Sequence, residues 1–363
     1  MSSMLERRRV LTRTIPLLIF GISIFILYLF FVDFSKIAEV FREINPYIFA
    51  ASILASIFDV VFFTLTWHIL LKTLSVKTKF SKSIAYVLIG NLVDIIVPAE
   101  SVSGEASKIF LMKRDGEDVG KVTATLIVQR VYGMILHAAT LAVACIYMIA
   151  TNYPLPSLVV YFVSVTLGLT MLFLALIALA CLKRDLAWKF LRAVLWVVER
   201  LVPSRFNIEE WSRSVEHVLN TFYLSLSKLA KKPSRILISI LSSTTSWIFC
   251  LLVSQTIFIS LGYSIPFIIV AVVYSICIIV QYMPAGIPSE AGITEVVMSS
   301  LYGIFGVPLS VGAAATILIR FLTVWVRCIL GLAALYWRGI ASKKQIEEII
   351  KGVDEGIHDQ SKM

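Results

Sequence analysis

Outside one linker segment, apolar residues in this chain neither alternate nor mark one face of a helix; they gather in unbroken blocks. Ile15–Val32, Tyr47–Leu71, Val122–Ala150, Ser157–Leu182, Ile236–Ser260 and Pro308–Trp337 each reach or approach the ~20 residues that carry a helix across a bilayer. Lipid offers no hydrogen bonds to free backbone groups, so blocks of this kind must be helical. Strands of an outer-membrane barrel would instead alternate over about 10 residues. Two further apolar segments, Ser83–Val97 and Pro266–Met283, are shorter. The pattern predicts an all-α, polytopic integral membrane protein with about six full spans and two broken or re-entrant helices. The first block follows Arg7, Arg8 and Arg9 as the core of a secretion signal would. It ends in Phe30-Phe31-Val32-Asp33 with no small-residue cleavage site, so it is expected to remain as a span.

Charge sets the expected orientation. The net charge is +10, which in isolation would suit nucleic acid, but the distribution does not. Of 33 basic residues, 28 fall before the first block, between the second and third blocks, in residues 183–235, or from Arg338 onward. Only Lys36 and Arg42 fall on the other side, and Arg130, Arg320 and Arg327 lie within apolar blocks. This bias is the positive-inside pattern of cytoplasmic loops. It predicts both termini in the cytoplasm, in a cell membrane, with no nucleic-acid partner. The five cysteines lie in apolar blocks without a C-x-x-C pair, and the four histidines lack metal-ligand spacing. They read as packing residues, and no cofactor or metal is called for.

The count holds only if the two short segments do not cross. Ser83–Val97 spans about 22 Å as a helix and has basic flanks on both sides, so it should dip in from the cytoplasm and return. Pro266–Met283 has no basic residue in either flank and should enter from outside. The two regions also resemble each other. Pro98, Gly104, Glu105, Ala124-Thr125 and Arg130 in the first parallel Pro284, Gly292, Glu295, Ala315-Thr316 and Arg320 in the second. This predicts inverted repeats within a single transmembrane domain, residues 1–338, whose halves are 46–182 and 236–338. A linker, 183–235, joins them, and 339–363 forms a polar tail. Pro98, Gly104, Pro284, Gly286 and Gly292 are the expected hinges of the broken helices. In the linker, Ile208, Trp211, Val215, Val218, Leu219, Phe222, Leu226 and Leu229 form a helical stripe. Together with Leu186–Val202 it predicts two amphipathic helices on the cytoplasmic surface.

An ionisable side chain in the middle of a bilayer costs ~2.5–3.5 kcal/mol on insertion scales. Arg130, Arg320, Asp59 and Asp94 nonetheless lie inside apolar segments, with Asn91 close to Asp94, and Glu105 and Glu295 follow the glycines. These seven residues are the candidate cavity. Arginine grips phosphate through parallel hydrogen bonds, and the carboxylates would bind an amino head group, carry protons or hold the arginines. The competing reading is two buried Arg–Glu pairs that pin the repeats together.

At these residues the chain resembles the flippase-like family that contains the transmembrane region of lysylphosphatidylglycerol synthase. The resemblance covers roughly Pro46–Trp337. It rests on Asn91, Pro98, Gly104-Glu105 with Lys108, Gln129-Arg130, Pro284–Glu295, and Arg320, Thr323, Trp325 and Gly331. Two features depart from the family pattern: Gln129 stands where an acidic residue is usual, and the proline–glycine run is looser. The resemblance implies translocation of a membrane lipid, sometimes beside a glycosyltransferase or lipid-modifying enzyme. Only some 25 polar residues follow the last span, so the aminoacyl-transfer domain of the synthases is not expected here. An intramembrane transferase, an anchor for a partner enzyme and a carrier of small soluble solutes are the alternatives. No sequence motif sets a nucleophile beside a base, so an enzyme is not the leading expectation.

Overall fold

A computed structural model describes residue 23 and residues 25–30, 34–96, 102–153, 157–183, 208–280 and 287–339. Most of the first apolar block, the hinges Pro98, Pro284 and Gly286, the segment 184–207 and the tail lie outside the described residues.

Every described element is helical. The helices are α1 (Phe34–Arg42), α2 (Pro46–Thr73), α3 (Phe80–Ile96), α4 (Val102–Arg114), α5 (Val119–Ala150), α6 (Ser157–Leu182), α7 (Ile208–Ala230), α8 (Pro233–Ser260), α9 (Phe267–Val280), α10 (Ile293–Ile304), α11 (Leu309–Arg320) and α12 (Val326–Trp337). A π-helical turn, Phe321–Trp325, joins the last two into one rod. Among the described residues five rods are long and apolar enough to span a bilayer: α2, α5, α6, α8 and the α11–α12 rod. With 28 residues, α2 is about 42 Å long, beyond the ~30 Å of hydrocarbon. The helices α3, α4, α9 and α10 have 17, 13, 14 and 12 residues, so none exceeds about 26 Å.

Local chemistry fixes the ends of these helices. Asn45 accepts hydrogen bonds from Tyr47 N and Ile48 N, with Pro46 in the first turn, which starts α2. Asp118 caps α5 through Lys121 N. The same C-terminal motif closes corresponding helices of the two halves. After α4, Glu117 N bonds Met112 O and Gly116 N bonds Lys113 O; after α10, Val307 N bonds Tyr302 O and Gly306 N bonds Gly303 O. Gly116 and Gly306 have φ of 84° and 86°, the left-handed conformation this closure requires. The turn after α2 at Ser75 and the turn after α8 at Gly262 repeat the pattern. Each half thus contains a long helix, two short ones and a long rod, in that order, and the first half adds α6.

The repeats are inverted. Along the seam between α2 and α8, Asn45 meets Ser260, Phe58 stacks on Phe249, Phe62 meets Ser242, and Thr73 meets Lys232. As one chain ascends the other descends, so the two equivalent helices are antiparallel over their whole length. The short helices are exchanged between halves: α3 packs on α12 and α9 on α5. Small residues allow this closeness; a methyl on Gly331 would lie 2.5 Å from Leu88 O. At the α3–α4 crossing, a methyl on Gly104 would lie 2.7 Å from Gly90 O and collide with the Asp94 carboxylate. Gly104→Ala is therefore expected to force the hairpin apart and cost ~1–3 kcal/mol, read as a lower melting temperature in detergent.

The apolar interior divides in two. One core gathers α3 and α4 around Trp67, Leu71, Val122 and Leu126; the other gathers α9 and α10 around Ala55, Leu141, Ala144 and Met148. Along α5 and α2 these cores occupy opposite ends, so the two short-helix hairpins enter from opposite faces. Tyr161, Met171, Leu172, Phe173 and Leu176 of α6 are exposed, as side chains facing lipid should be. The predicted stripe of the linker is real where described: α7 buries Phe222, Ser225 and Leu229, and packs so tightly on α5 that a methyl on Gly120 would lie 2.5 Å from Val218 O.

Candidate functional site

Between the two apolar cores lies a layer of charge. On α2, Asp59 falls between Ala55 of one core and Trp67 of the other; on α5, Gln129 and Arg130 fall between Leu126 and Leu141; on the last rod, Arg327 falls between Leu322 and Ala334. Among the described residues three ion pairs lie in or beside this layer.

Two of them are the same pair, once in each half. Arg130 Nη1 lies 3.3 Å from Glu105 Oε2, and Arg320 Nε lies 2.7 Å from Glu295 Oε1, each pair 25 residues apart in sequence. Their surroundings differ. The side chains of Arg130 and Glu105 are 25% and 26% exposed, whereas those of Arg320 and Glu295 are 7% and 10% exposed. Glu295 also accepts from Gly292 N at 2.7 Å, capping α10, and Arg320 donates to the carbonyl of Ser289. Ser289 and Glu290 sit at φ of 54° and 47°, so this arginine clasps a turn of strained backbone. The first pair is open and the second is sealed.

The third pair was not legible from spacing. Asp59 Oδ2 lies 2.5 Å from Arg327 Nη2, and Asp59 Oδ1 accepts from Ser246 Oγ at 2.6 Å. It ties α2, α8 and α12 together. The partners are 268 residues apart, and only the antiparallel seam brings them into contact. The π-helical turn sits between Arg320 and Arg327, where such turns often mark functional positions.

Asp94 plays a different part from the paired carboxylates. It accepts from Ser103 Oγ and Gly104 N, both at 2.6 Å, and so caps α4 from the neighbouring α3. Asn91, half-buried on α3, makes no side-chain hydrogen bond among the described residues. Gln129 donates to Phe63 O at 2.9 Å. Lys108 is the residue that the charge count misplaces: counted with loop cations, it is only 7% exposed, with Nζ 5.6 Å from the ring centre of Trp67 and 6.0 Å from that of Phe63. Its place on the fourth residue after Gly104, one helical turn on, is the pattern that points it inward. The turn Pro288–Glu290 of the second half packs against α3 of the first, so the two broken regions touch.

This architecture is that of a polytopic helical membrane protein in which two opposed halves enclose a charged layer. Residues 18–331 match the family described as the lysylphosphatidylglycerol synthase TM region, and the chain belongs to it. It is 26% identical to a UPF0104 membrane protein of Pyrococcus horikoshii over 87% of this chain and 94% of the relative. A UPF0104 membrane protein of Methanocaldococcus jannaschii is 24% identical over 90% and 95% of the two chains. One of Methanothermobacter thermautotrophicus is 23% identical over 92% and 98%.

Proposed function

We propose that this protein is a carrier, not an enzyme, and that it passes a lipid or similar amphiphile between leaflets along the charged layer. One observation carries the reading: an Arg130–Glu105 pair about a quarter exposed lies in the layer between two apolar cores, each built round one of the opposed hairpins. Carriers built from inverted repeats hold their cargo at broken helices near the midplane. An amphiphile needs a polar path for its head group while its tails stay in lipid, and a charged layer beside lipid-facing helices supplies one. On this reading Arg130, Glu105, Asp94 and Asn91 face the head group. The basic bias supports a cytoplasmic position for both termini in a cell membrane.

Reconstitution into vesicles carrying lipids with a fluorescent head group tests this. Dithionite should bleach the inner-leaflet label faster in vesicles with protein than in vesicles without. Equal rates across neutral, anionic and aminoacylated lipids would overturn the reading. A second reading, a membrane anchor for a glycosyltransferase or lipid-modifying enzyme, is favoured by α7, which is fastened to α5 yet leaves Leu224 62% exposed. Copurification of such an enzyme, lost on replacing the exposed face of α7, would favour it.

A further inference from the structure

The two hairpins are secured unequally. Arg320 clasps the second through the buried Glu295 carboxylate and the Ser289 carbonyl. At the first, the matching Arg130–Glu105 pair is partly open. Within itself the first hairpin is firm. Asp94 of α3 takes Ser103 Oγ and Gly104 N of α4, so the two helices hold together as one piece. A second set of contacts fastens that piece at its root, on the side that the basic bias assigns to the cytoplasm. There Tyr86, buried on α3, donates its hydroxyl to Asp115 Oδ2 at 2.7 Å. Lys82, one turn earlier, lies 2.5 Å from the same oxygen. Arg338, the residue directly after α12, sets its guanidinium 5.7 Å from the centre of the Tyr86 ring, within cation–π range.

These contacts are of a kind that can break and re-form. The Lys82–Asp115 pair is 23% and 21% exposed, so water competes for it and its net contribution is small. Arg338 Nε is buried and, among the described residues, has no hydrogen-bond partner; the guanidinium rests on the ring without a carboxylate bound to it. Nearer the core, α3 meets α12 at Gly331, where a side chain would strike Leu88 O. Main chain lies against main chain there, so no side chain has to be unthreaded when the two part. The corresponding positions of the second hairpin are apolar. Lys82 and Tyr86 are the third and seventh residues of α3; the third and seventh of α9 are Ile269 and Val273, both buried. Asp115 precedes the closing Gly116, and Phe305 precedes the closing Gly306. One root is held by charge that water reaches, the other by apolar packing.

We propose that Arg338 and the Tyr86 ring form a latch that holds the first hairpin against the end of α12, and that this hairpin is the moving gate while the second stays fixed. Asp115 and Lys82 orient the ring from the hairpin side, and Arg338 closes on it from the rod. The proposal rests on the transport reading only for what the opening admits; the motion itself depends on no cargo.

Hydrogen–deuterium exchange with mass spectrometry on the full-length protein in lipid nanodiscs tests it, because local opening sets amide exchange. In wild type, peptides from α3 and α4 should exchange ~3-fold faster than those from α9 and α10. Arg338→Met and Tyr86→Leu should each speed α3–α4 exchange by a further ~3-fold and leave α9–α10 unchanged. Tyr86→Phe keeps the ring and Arg338→Lys keeps a cation, so both should stay nearer wild type. Lys113→Met, an exposed change on α4, should match wild type. Equal exchange in the two hairpins of wild type, or faster exchange in the second, overturns the latch without reference to any variant. So does an unchanged α3–α4 rate in both Arg338→Met and Tyr86→Leu, or a rise that takes in α9–α10 equally, which would be general loosening. Run on the same preparations, the dithionite assay should show faster lipid movement in Arg338→Met. A hairpin that opens with no lipid movement in any preparation would sink the carrier reading alone; lipid movement with a still first hairpin would sink the latch alone.

Discussion

Asp59→Leu protein is expected to melt well below wild type, and Asp59→Leu/Arg327→Met is expected to recover most of the loss. The Asp59 carboxylate is 8% exposed and holds both Arg327 and Ser246. Removing it leaves a guanidinium unpaired at membrane depth, where breaking one side of a buried pair costs ~3–5 kcal/mol. Removing both partners removes the stranded charge and leaves apolar side chains of similar length in an apolar seam, which is often neutral. Thermal unfolding of purified protein in detergent, run on both single variants and the double, gives the coupling directly. A double variant no more stable than the worse single one would mean that the pair does more than neutralise itself.

The two symmetric arginines should part company under the same substitution. Arg320→Met leaves Glu295 buried and releases the Ser289 carbonyl, so the turn before α10 loses its clasp; a loss of ~3–5 kcal/mol is expected. Arg130→Met acts on a pair about a quarter exposed, where ion pairs contribute only ~0–1 kcal/mol. Its melting temperature should stay near wild type while lipid movement stops. The measurements are melting temperature and the dithionite assay on the same preparations. Arg130→Met protein that carries lipid normally would remove the open pair from the cargo path.

Much of the architecture was readable from residues alone because bilayer physics is coarse. Tyr47–Leu71 became Pro46–Thr73, Ser157–Leu182 kept its bounds, and Ser83–Val97 became Phe80–Ile96. Most shifts came at the starts, where Pro46 and Pro233 begin helices in polar sequence that hydropathy does not count. The Glu–Arg pairs were visible as candidates because each repeats the other at a fixed interval. Asp59 with Arg327 was not, since the partners share no local pattern and their meeting depends on how α2 lies against α8. Lys108, although part of the family resemblance, was absent from the cavity candidates for another reason: a loop-side count assigns a lysine by its neighbours in sequence, whereas helix α4 turns it back against Trp67.

The α2–α8 seam bears on how such a protein could diverge. Ser242 donates to Phe62 O, Lys232 to Thr73 O, and Asn45 N to Ser260 O. In each bond the acceptor is a main-chain oxygen, which every amino acid carries. Mutation can therefore rewrite the accepting positions without erasing the docking, and the two units can grow apart in letters while their joint stays in register. An ancestral doubling held this way would fade from the sequence long before it faded from the shape.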